Sequence, residues 1–155
     1  MTKVLNVISD TNIGGAGKCI INFCKNYNRK EFEIVVVVPK GSKLIDELKP
    51  TKVKIIEIDG LKDKSFDLPS LPKIIKVIRQ EKPDIIHTHA SSTARLAARM
   101  AGGYKVAFTR HSVFPVSNKI KKGVGRFIYK TSNEFLADRM IAVADAAKEN
   151  LTDGG

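Results

Sequence analysis

The segment KVLNVISDTNIGGAGKCIINFCKN, residues 3–26, contains a short apolar run, a turn with two adjacent glycines and a stretch of helical periodicity. The apolar run predicts a β-strand over Lys3–Ser9. Apolar residues then recur every three or four positions, which predicts a helix over Ala16–Asn28 with Phe23 and Cys24 on its buried face. A strand that leads through a glycine turn into a helix begins a βαβ unit, so this segment predicts an α/β fold.

The same alternation of strand and helix continues along the 155-residue chain, a length that suits one domain over residues 1–155. Strands are predicted at Lys3–Ser9, Glu33–Val38, Lys52–Ile58, Asp84–Thr88, Lys105–Thr109 and Arg139–Val143. Helices are predicted at Ala16–Asn28, Lys43–Leu48, Ser70–Glu81, Ser92–Ala101, Asn118–Leu136 and Asp145–Leu151. Most strands are nearly continuous apolar runs, as expected when both faces of a parallel sheet are covered. The sequence therefore predicts a Rossmann-like open parallel sheet of about six strands with helices on both faces.

Composition and charge limit the possible partners and the compartment. The chain carries 27 lysines and arginines against 16 aspartates and glutamates, a formal charge of +11, which favours a nucleic acid, a membrane surface or a phosphorylated ligand. Aromatic residues make up only 6% of the chain and tryptophan is absent, which argues against nucleic acid because single-strand binders stack bases on aromatic rings. The N-terminus does not resemble a signal peptide, and Cys19 and Cys24 lack the spacing of a redox or zinc motif. We therefore expect a cytoplasmic protein with reduced cysteines.

The turn DTNIGGAGK resembles nucleotide-binding loops but departs from two common patterns. A Walker A loop requires glycine where Asn12 stands and serine or threonine where Cys19 stands. A dinucleotide-binding fingerprint that starts at Gly15 requires a third glycine where the chain has Ile20. What remains is the pair Gly14 and Gly15 at a helix N-terminus, where backbone N–H groups can approach an anion. A tight strand-to-helix turn explains the two glycines equally well.

All three histidines end or follow predicted strands at the edge where an open α/β sheet binds its ligands. His87 and His89 lie at the end of the fourth strand, and His111 follows the fifth. A three-histidine zinc site is geometrically conceivable, but the surrounding sequence offers no carboxylate to support it, so no metal is expected.

The basic segment 118–130 either lies on an anionic membrane or forms an ordinary solvated helix. The second is favoured because its two glycines weaken a free amphipathic helix.

Four segments in order, NIGGAGKCIINFCKN, KPDIIHTHASSTARLAARMAG, VAFTRHS and ADRMIAVADAAKENL, resemble the N-terminal domain of glycosyltransferase family 4, retaining enzymes of the GT-B fold. The resemblance implies an acceptor-side domain that needs no metal or cofactor. It also implies a nucleotide-sugar donor shared with a C-terminal nucleotide-sugar-binding domain that lies outside these 155 residues, so the chain alone is expected to be inactive. The implied acceptor is a glycan or a lipid-linked sugar, and the inner face of the membrane is a further candidate partner.

The resemblance also assigns candidate site residues. His111 takes the catalytic position beside the donor sugar. The donor diphosphate is expected against Gly14, Gly15 and Ala16, and the acceptor-side cleft is expected to contain His89, Ser91, Arg110 and Ser112. Ala144 stands where the family usually has serine, so one hydroxyl is missing from the expected cleft edge. The alternative function is a non-catalytic α/β module that binds a phosphorylated ligand in a basic cleft.

Overall fold

Six strands form one sheet in the computed structural model, which describes residues 1–62, 66–89, 91–111 and 123–153. The strands are β1 (Thr2–Ile8), β2 (Phe32–Pro39), β3 (Lys54–Ile58), β4 (Ile85–His89), β5 (Lys105–Arg110) and β6 (Arg139–Ala142). Their order in the sheet is β3-β2-β1-β4-β5-β6, and every neighbouring pair is parallel. The predicted open parallel sheet is confirmed.

Helices connect the strands as the periodicity predicts. They are α1 (Gly15–Asn26), α2 (Leu44–Leu48), α3 (Leu71–Glu81), α4 (Ser92–Ala101), α5 (Gly123–Leu136) and α6 (Asp145–Asp153). The prediction that strand three begins at Lys52 is wrong, because Lys49–Thr51 form a 3-10 turn and Lys52 has a positive φ of 60°. The predicted start of the fifth long helix at Asn118 lies outside the described residues. No helix of the described ranges is long and apolar enough to cross a membrane.

Two apolar clusters lie on opposite faces of the sheet, because side chains alternate along each strand. Val4 and Ile8 of β1 pack with α1 and α2, whereas Leu5 and Val7 pack with α3 and α4. The predicted coverage of both faces is therefore confirmed. By the same alternation, Asn6 lies on the face that α1 and α2 cover elsewhere.

The buried stripe of α1 differs from its prediction at one position. Cys24 is fully buried as expected, but Phe23 is 41% exposed. The stripe includes Gly17 and Ile21, so its centre lies slightly further round the helix and leaves Phe23 at the edge. There the Phe23 ring contacts the ring of Tyr27, with centroids 6.1 Å apart.

Candidate functional site

The crevice at the centre of the sheet is the place where an open α/β fold binds its ligands. From β1 the chain crosses to β2 on one side, and from β4 it crosses to β5 on the other. The connections therefore diverge between the carboxyl ends of β1 and β4, which leaves a crevice between them. The glycine turn follows β1 and His89 ends β4, so both predicted motifs lie at this switch point.

The glycine turn presents the N-terminus of α1 without a side-chain cap. Gly14 is the N-cap residue, with φ −91° and ψ −163°, and within the described part of the chain this cap position makes no side-chain hydrogen bond to the helix. A Cβ added at Gly14 or Gly15 would meet no described atom within 4 Å. Ala16 is buried in the apolar cluster of α1 and α2, so its methyl group serves packing. Neither packing nor a positive φ requires glycine at positions 14 and 15, which fits close approach by a molecule from outside.

The neighbouring connection between β2 and α2 holds this turn in place. The Lys43 N–H donates to the Thr11 carbonyl at 3.0 Å, and the Ser42 hydroxyl donates to the Asp10 carbonyl at 3.2 Å. Ser42 is buried and Lys43 is exposed, so these contacts join the turn to the connection at the edge of the fold. Because the turn is fixed from outside, the direction of the free N–H groups of α1 is set before any ligand binds.

Gly17 serves packing, in contrast to the two glycines before it, and this gives a test with a matched control. A Cβ at Gly17 would lie 3.3 Å from Leu44 Cδ2, in the buried contact between α1 and α2. We expect Gly17→Val to lower the free energy of unfolding by about 1–3 kcal/mol through overpacking. Gly15→Ala, where the added methyl meets open space, should leave it unchanged or slightly raised. Urea unfolding of both variants followed by circular dichroism measures the difference, and equal stability would contradict the packing role.

The three histidines form a connected cluster behind the crevice. His87 and His89 lie on the same face of β4 as Asn6 of β1, and their ring centroids are 4.3 Å apart. His89 Nδ1 lies 2.8 Å from His111 Nε2, and their rings stack with centroids 5.1 Å apart. His89 Nε2 lies 3.4 Å from Asn6 Oδ1, and His87 Nε2 lies 2.7 Å from Thr109 Oγ1. The sequence predicts that the three histidines lie at one edge of the sheet. The structure adds the hydrogen bond between His89 and His111 and the ring contact between His87 and His89.

Burial keeps these imidazoles neutral at physiological pH. Desolvation, with a smaller contribution from the charge of His111, lowers the pKa of His87 to about 4. Desolvation and the two neighbouring rings hold the pKa of His89 well below its ordinary value of 6.5. His111 is half-buried and desolvation lowers its pKa too. A neutral imidazole has one N–H and one lone pair, so His111 can orient a polar ligand by hydrogen bonding.

The described residues contain no group of three His, Cys, Asp or Glu side chains arranged to hold a metal ion. The zinc alternative requires three imidazole nitrogens directed at one point. In this cluster His87 Nε2 and both nitrogens of His89 face hydrogen-bonding partners within the protein. The arrangement is suited to fixing ring orientation.

The other predicted site residues lie in different environments. Ser91 is buried and its hydroxyl accepts the Ala94 N–H at 3.2 Å, so it caps α4 from within the fold. Arg110 is the last residue of β5, and alternation directs its side chain to the face opposite that of Thr109. Ser112 lies outside the described residues. The Ala144 carbonyl accepts the first helical N–H bonds of α6, so the hydroxyl absent here would sit at a helix cap.

Sequence reasoning missed Asn6 and Thr109, which hold the two inner histidines. Asn6 is 1% exposed and Thr109 is 3% exposed. A signal was present for Asn6, because a polar residue inside the apolar strand VLNVI needs a buried partner. Threonine is common in β-strands because it is β-branched, so the sequence offered no comparable indication that Thr109 contacts a histidine.

A sequence profile of Glycosyltransferase Family 4 matches residues 13–155, which is most of the chain. The chain belongs to glycosyltransferase family 4. This family 4 chain is 37% identical over 89 residues to UDP-Gal:α-D-GlcNAc-diphosphoundecaprenol α-1,3-galactosyltransferase of Escherichia coli, a match that covers 54% of this chain and 22% of that protein. The resemblance that the four sequence segments carry is confirmed.

Solved structures share the fold of the family 4 chain. HepE of Anabaena, solved with UDP and glucose, has a TM-score of 0.71 and 17% identity, covering 100% of this chain and 41% of that one. UDP-GlcNAc 2-epimerase of Neisseria meningitidis, bound to UDP-GlcNAc, has a TM-score of 0.63 and 18% identity, covering 97% and 43%. The chain thus spans less than half the length of each relative. Because a transferase family and an epimerase share this fold, the family assignment rests on sequence.

Proposed function

We propose that this family 4 domain is the N-terminal, acceptor-side half of a retaining glycosyltransferase that moves a hexose from a nucleotide sugar to a glycan or lipid-linked acceptor. The observation that carries the proposal is the family match over residues 13–155. Its nucleotide-sugar part is supported by the UDP-Gal in the name of the E. coli relative, and its lipid-linked acceptor by the diphosphoundecaprenol in the same name. We call the polypeptide that joins this domain to a nucleotide-sugar-binding domain the complete enzyme.

The first step of the proposed mechanism is binding of the donor diphosphate at the N-terminus of α1. As the glycosidic bond to the sugar breaks, negative charge develops on the departing diphosphate. The N–H groups at Gly15 and Ala16, with the helix dipole behind them, stabilise that charge. The open space before Gly14 and Gly15 lets the phosphate oxygens approach the backbone.

The second step assigns His111 to the sugar. A neutral imidazole at the crevice accepts or donates one hydrogen bond to a sugar hydroxyl and fixes the orientation of the ring. Arg110 and Ser112 remain proposed acceptor-side residues, and the buried Ser91 contributes by holding the start of α4. Transfer requires both the donor and the acceptor, so we propose that the domain alone does not turn over.

The location of the reaction follows from the proposed acceptor. A polyprenol-linked acceptor resides in a membrane, and the charge of +11 favours contact with anionic headgroups. Cys19 and Cys24 are both free, which supports a cytoplasmic location. We therefore propose peripheral binding at the inner face of the membrane, with no nucleic-acid partner.

The test is transfer of labelled hexose from UDP-sugars to polyprenyl-diphosphate-linked acceptors in detergent by the complete enzyme. Product appears in the organic phase if the proposal is correct. We expect Gly14→Val to raise the donor KM about tenfold or more, because its side chain occupies the diphosphate position. Gly103→Val is the matched control, since Gly103 also has open space around it but precedes β5 at the other edge of the sheet.

Three results would count against the proposal. Absence of transfer from every nucleotide sugar tested contradicts the transferase assignment. Tight binding of phosphorylated ligands without turnover supports the non-catalytic alternative instead. An unchanged donor KM in Gly14→Val contradicts the diphosphate position while leaving the family 4 activity intact.

A further inference from the structure

Asn6 is an unusual residue for the middle of a central strand. It lies in β1 between β2 and β4 and is 1% exposed. Its Oδ1 is 3.4 Å from His89 Nε2, whereas its Nδ2 has no hydrogen-bond partner among the described residues. A buried amide with one unpaired group lowers the stability of the fold. The presence of Asn6 at this position, in contact with His89, therefore calls for an explanation.

His89 is the next link, and its burial separates it from any ligand. It is only 2% exposed, so it lies behind the crevice surface. Its second nitrogen, Nδ1, contacts His111 Nε2 at 2.8 Å. His111 is half-buried and is the outermost residue of the chain of contacts. The three side chains therefore run in series from the interior of the sheet to the crevice.

The proton positions in this series follow from the chemistry of the groups. The Asn6 amide oxygen can only accept, so His89 Nε2 must carry its proton. A neutral imidazole has only one N–H, so His89 Nδ1 has a lone pair. This lone pair accepts a hydrogen bond from the N–H at His111 Nε2. That leaves His111 Nδ1 as a lone pair, able to accept a hydrogen bond.

We propose that Asn6 and His89 are positioning residues that fix His111 as its Nε2–H tautomer, with Nδ1 kept to accept a hydrogen bond from a sugar hydroxyl. The inference rests on the proposed function for its final clause, because only a glycosyl substrate supplies that hydroxyl. His87 supports the same arrangement, since its ring packs on His89 and is itself anchored to Thr109. The acceptor-side role that family resemblance implies for His89 becomes an indirect one.

The first experiment is NMR of the 155-residue chain labelled with ¹⁵N at histidine, without any sugar. Long-range ¹H–¹⁵N spectra assign the protonated nitrogen of each ring, and the chain has only three histidines. We expect Nε2–H for both His89 and His111, a ¹⁵N–¹⁵N coupling across the His111–His89 hydrogen bond and slow solvent exchange of the His111 ring proton. An Nδ1–H tautomer at His111, or no coupling between the two rings, overturns the proposal.

Two variants of His89 separate positioning from general packing. In His89→Asn the amide reaches about as far as Nδ1, so it can still accept from His111 Nε2. In His89→Gln the amide reaches about as far as Nε2, so it keeps the contact to Asn6 and loses the one to His111. We expect the His111 ring proton to exchange slowly only in the asparagine variant. In the complete enzyme, kcat should fall about tenfold further in the glutamine variant, with KM changed about twofold or less.

The two arms distinguish this inference from the proposed function. If the wild-type tautomers are as stated but the complete enzyme transfers no sugar, the proposed function fails and the positioning geometry holds. If transfer occurs and the tautomers differ, only the positioning role fails. Equal kcat values and equal proton exchange in the two His89 variants would also overturn it.

Discussion

Replacing His111 with alanine in the complete enzyme is expected to lower kcat about 100-fold, a loss of about 3 kcal/mol of transition-state stabilisation. The imidazole is the outermost group of the Asn6–His89–His111 series, so its removal takes away the proposed contact to the sugar without opening the sheet core. His111 follows β5 and is half-buried, so the free energy of unfolding should fall only modestly. Steady-state kinetics and urea unfolding measure the two effects separately.

His111→Gln is the control for packing in this experiment. Its amide can occupy the position of Nε2 and keep the contact to His89, but it has no group at the position of Nδ1. We expect stability close to that of the wild type and kcat as low as that of the alanine variant. Wild-type turnover in the alanine variant would contradict the assignment, and recovery of turnover in the glutamine variant would show that Nε2 alone is sufficient.

The sequence determines the fold through strong and local signals. Most strands are nearly continuous apolar runs and the longer helices have an apolar stripe, so the order of elements follows from periodicity. The sequence-based predictions are wrong where contacts with a neighbouring element, rather than local periodicity, determine the structure. Phe23 has helical spacing for burial, but the buried stripe of α1 includes Gly17, which faces Leu44, and Phe23 is left 41% exposed at its edge. Lys52 was expected in a strand, and the turn that begins at Lys49 removes it.

The site is less accessible to sequence reasoning, because its chemistry depends on burial. The topology of a parallel sheet brings His89 and His111 to one edge, and this could be predicted. Whether a histidine at that edge faces a ligand or the interior depends on the register of β1 against β4, which pairs Asn6 with His87 and Ile8 with His89. Ser91 is a similar case, because its capping of α4 is visible only once the helix start is known.

The buried histidines should also make the domain sensitive to mild acid. Burial lowers the pKa of His87 from an ordinary value of 6.5 to about 4, so the unfolded chain binds a proton in this range and the folded chain does not. The free energy of unfolding therefore has its full contribution from neutral His87 above pH 6.5. It loses this contribution as the pH falls from 6.5 towards 4. From pH 7 to pH 5 we expect His87 alone to lower the free energy of unfolding by about 2 kcal/mol. His89 and His111, whose pKa values burial also lowers, act in the same direction.

Carboxylates respond in a separate pH window. The Lys54 and Lys3 ammonium groups hold the pKa of Glu81 below its ordinary value of 4.5, and Arg99 does the same for the pKa of Asp138, below 3.8. Those contributions are complete above the ordinary carboxyl values and are lost only below them. Measurements of the free energy of unfolding between pH 7 and pH 5 therefore separate the contribution of the histidines from that of these carboxylates.

His87→Gln tests this origin of the acid sensitivity, because glutamine does not titrate and its amide can still reach Thr109. We expect the decline in the free energy of unfolding between pH 7 and pH 5 to be about 2 kcal/mol smaller in the variant, measured by urea unfolding at fixed ionic strength. The remaining decline belongs to His89 and His111. Equal pH dependence in both proteins would mean that His87 is protonated as readily in the folded state as in the unfolded chain. That result would be incompatible with a buried ring held by Thr109 and packed on His89.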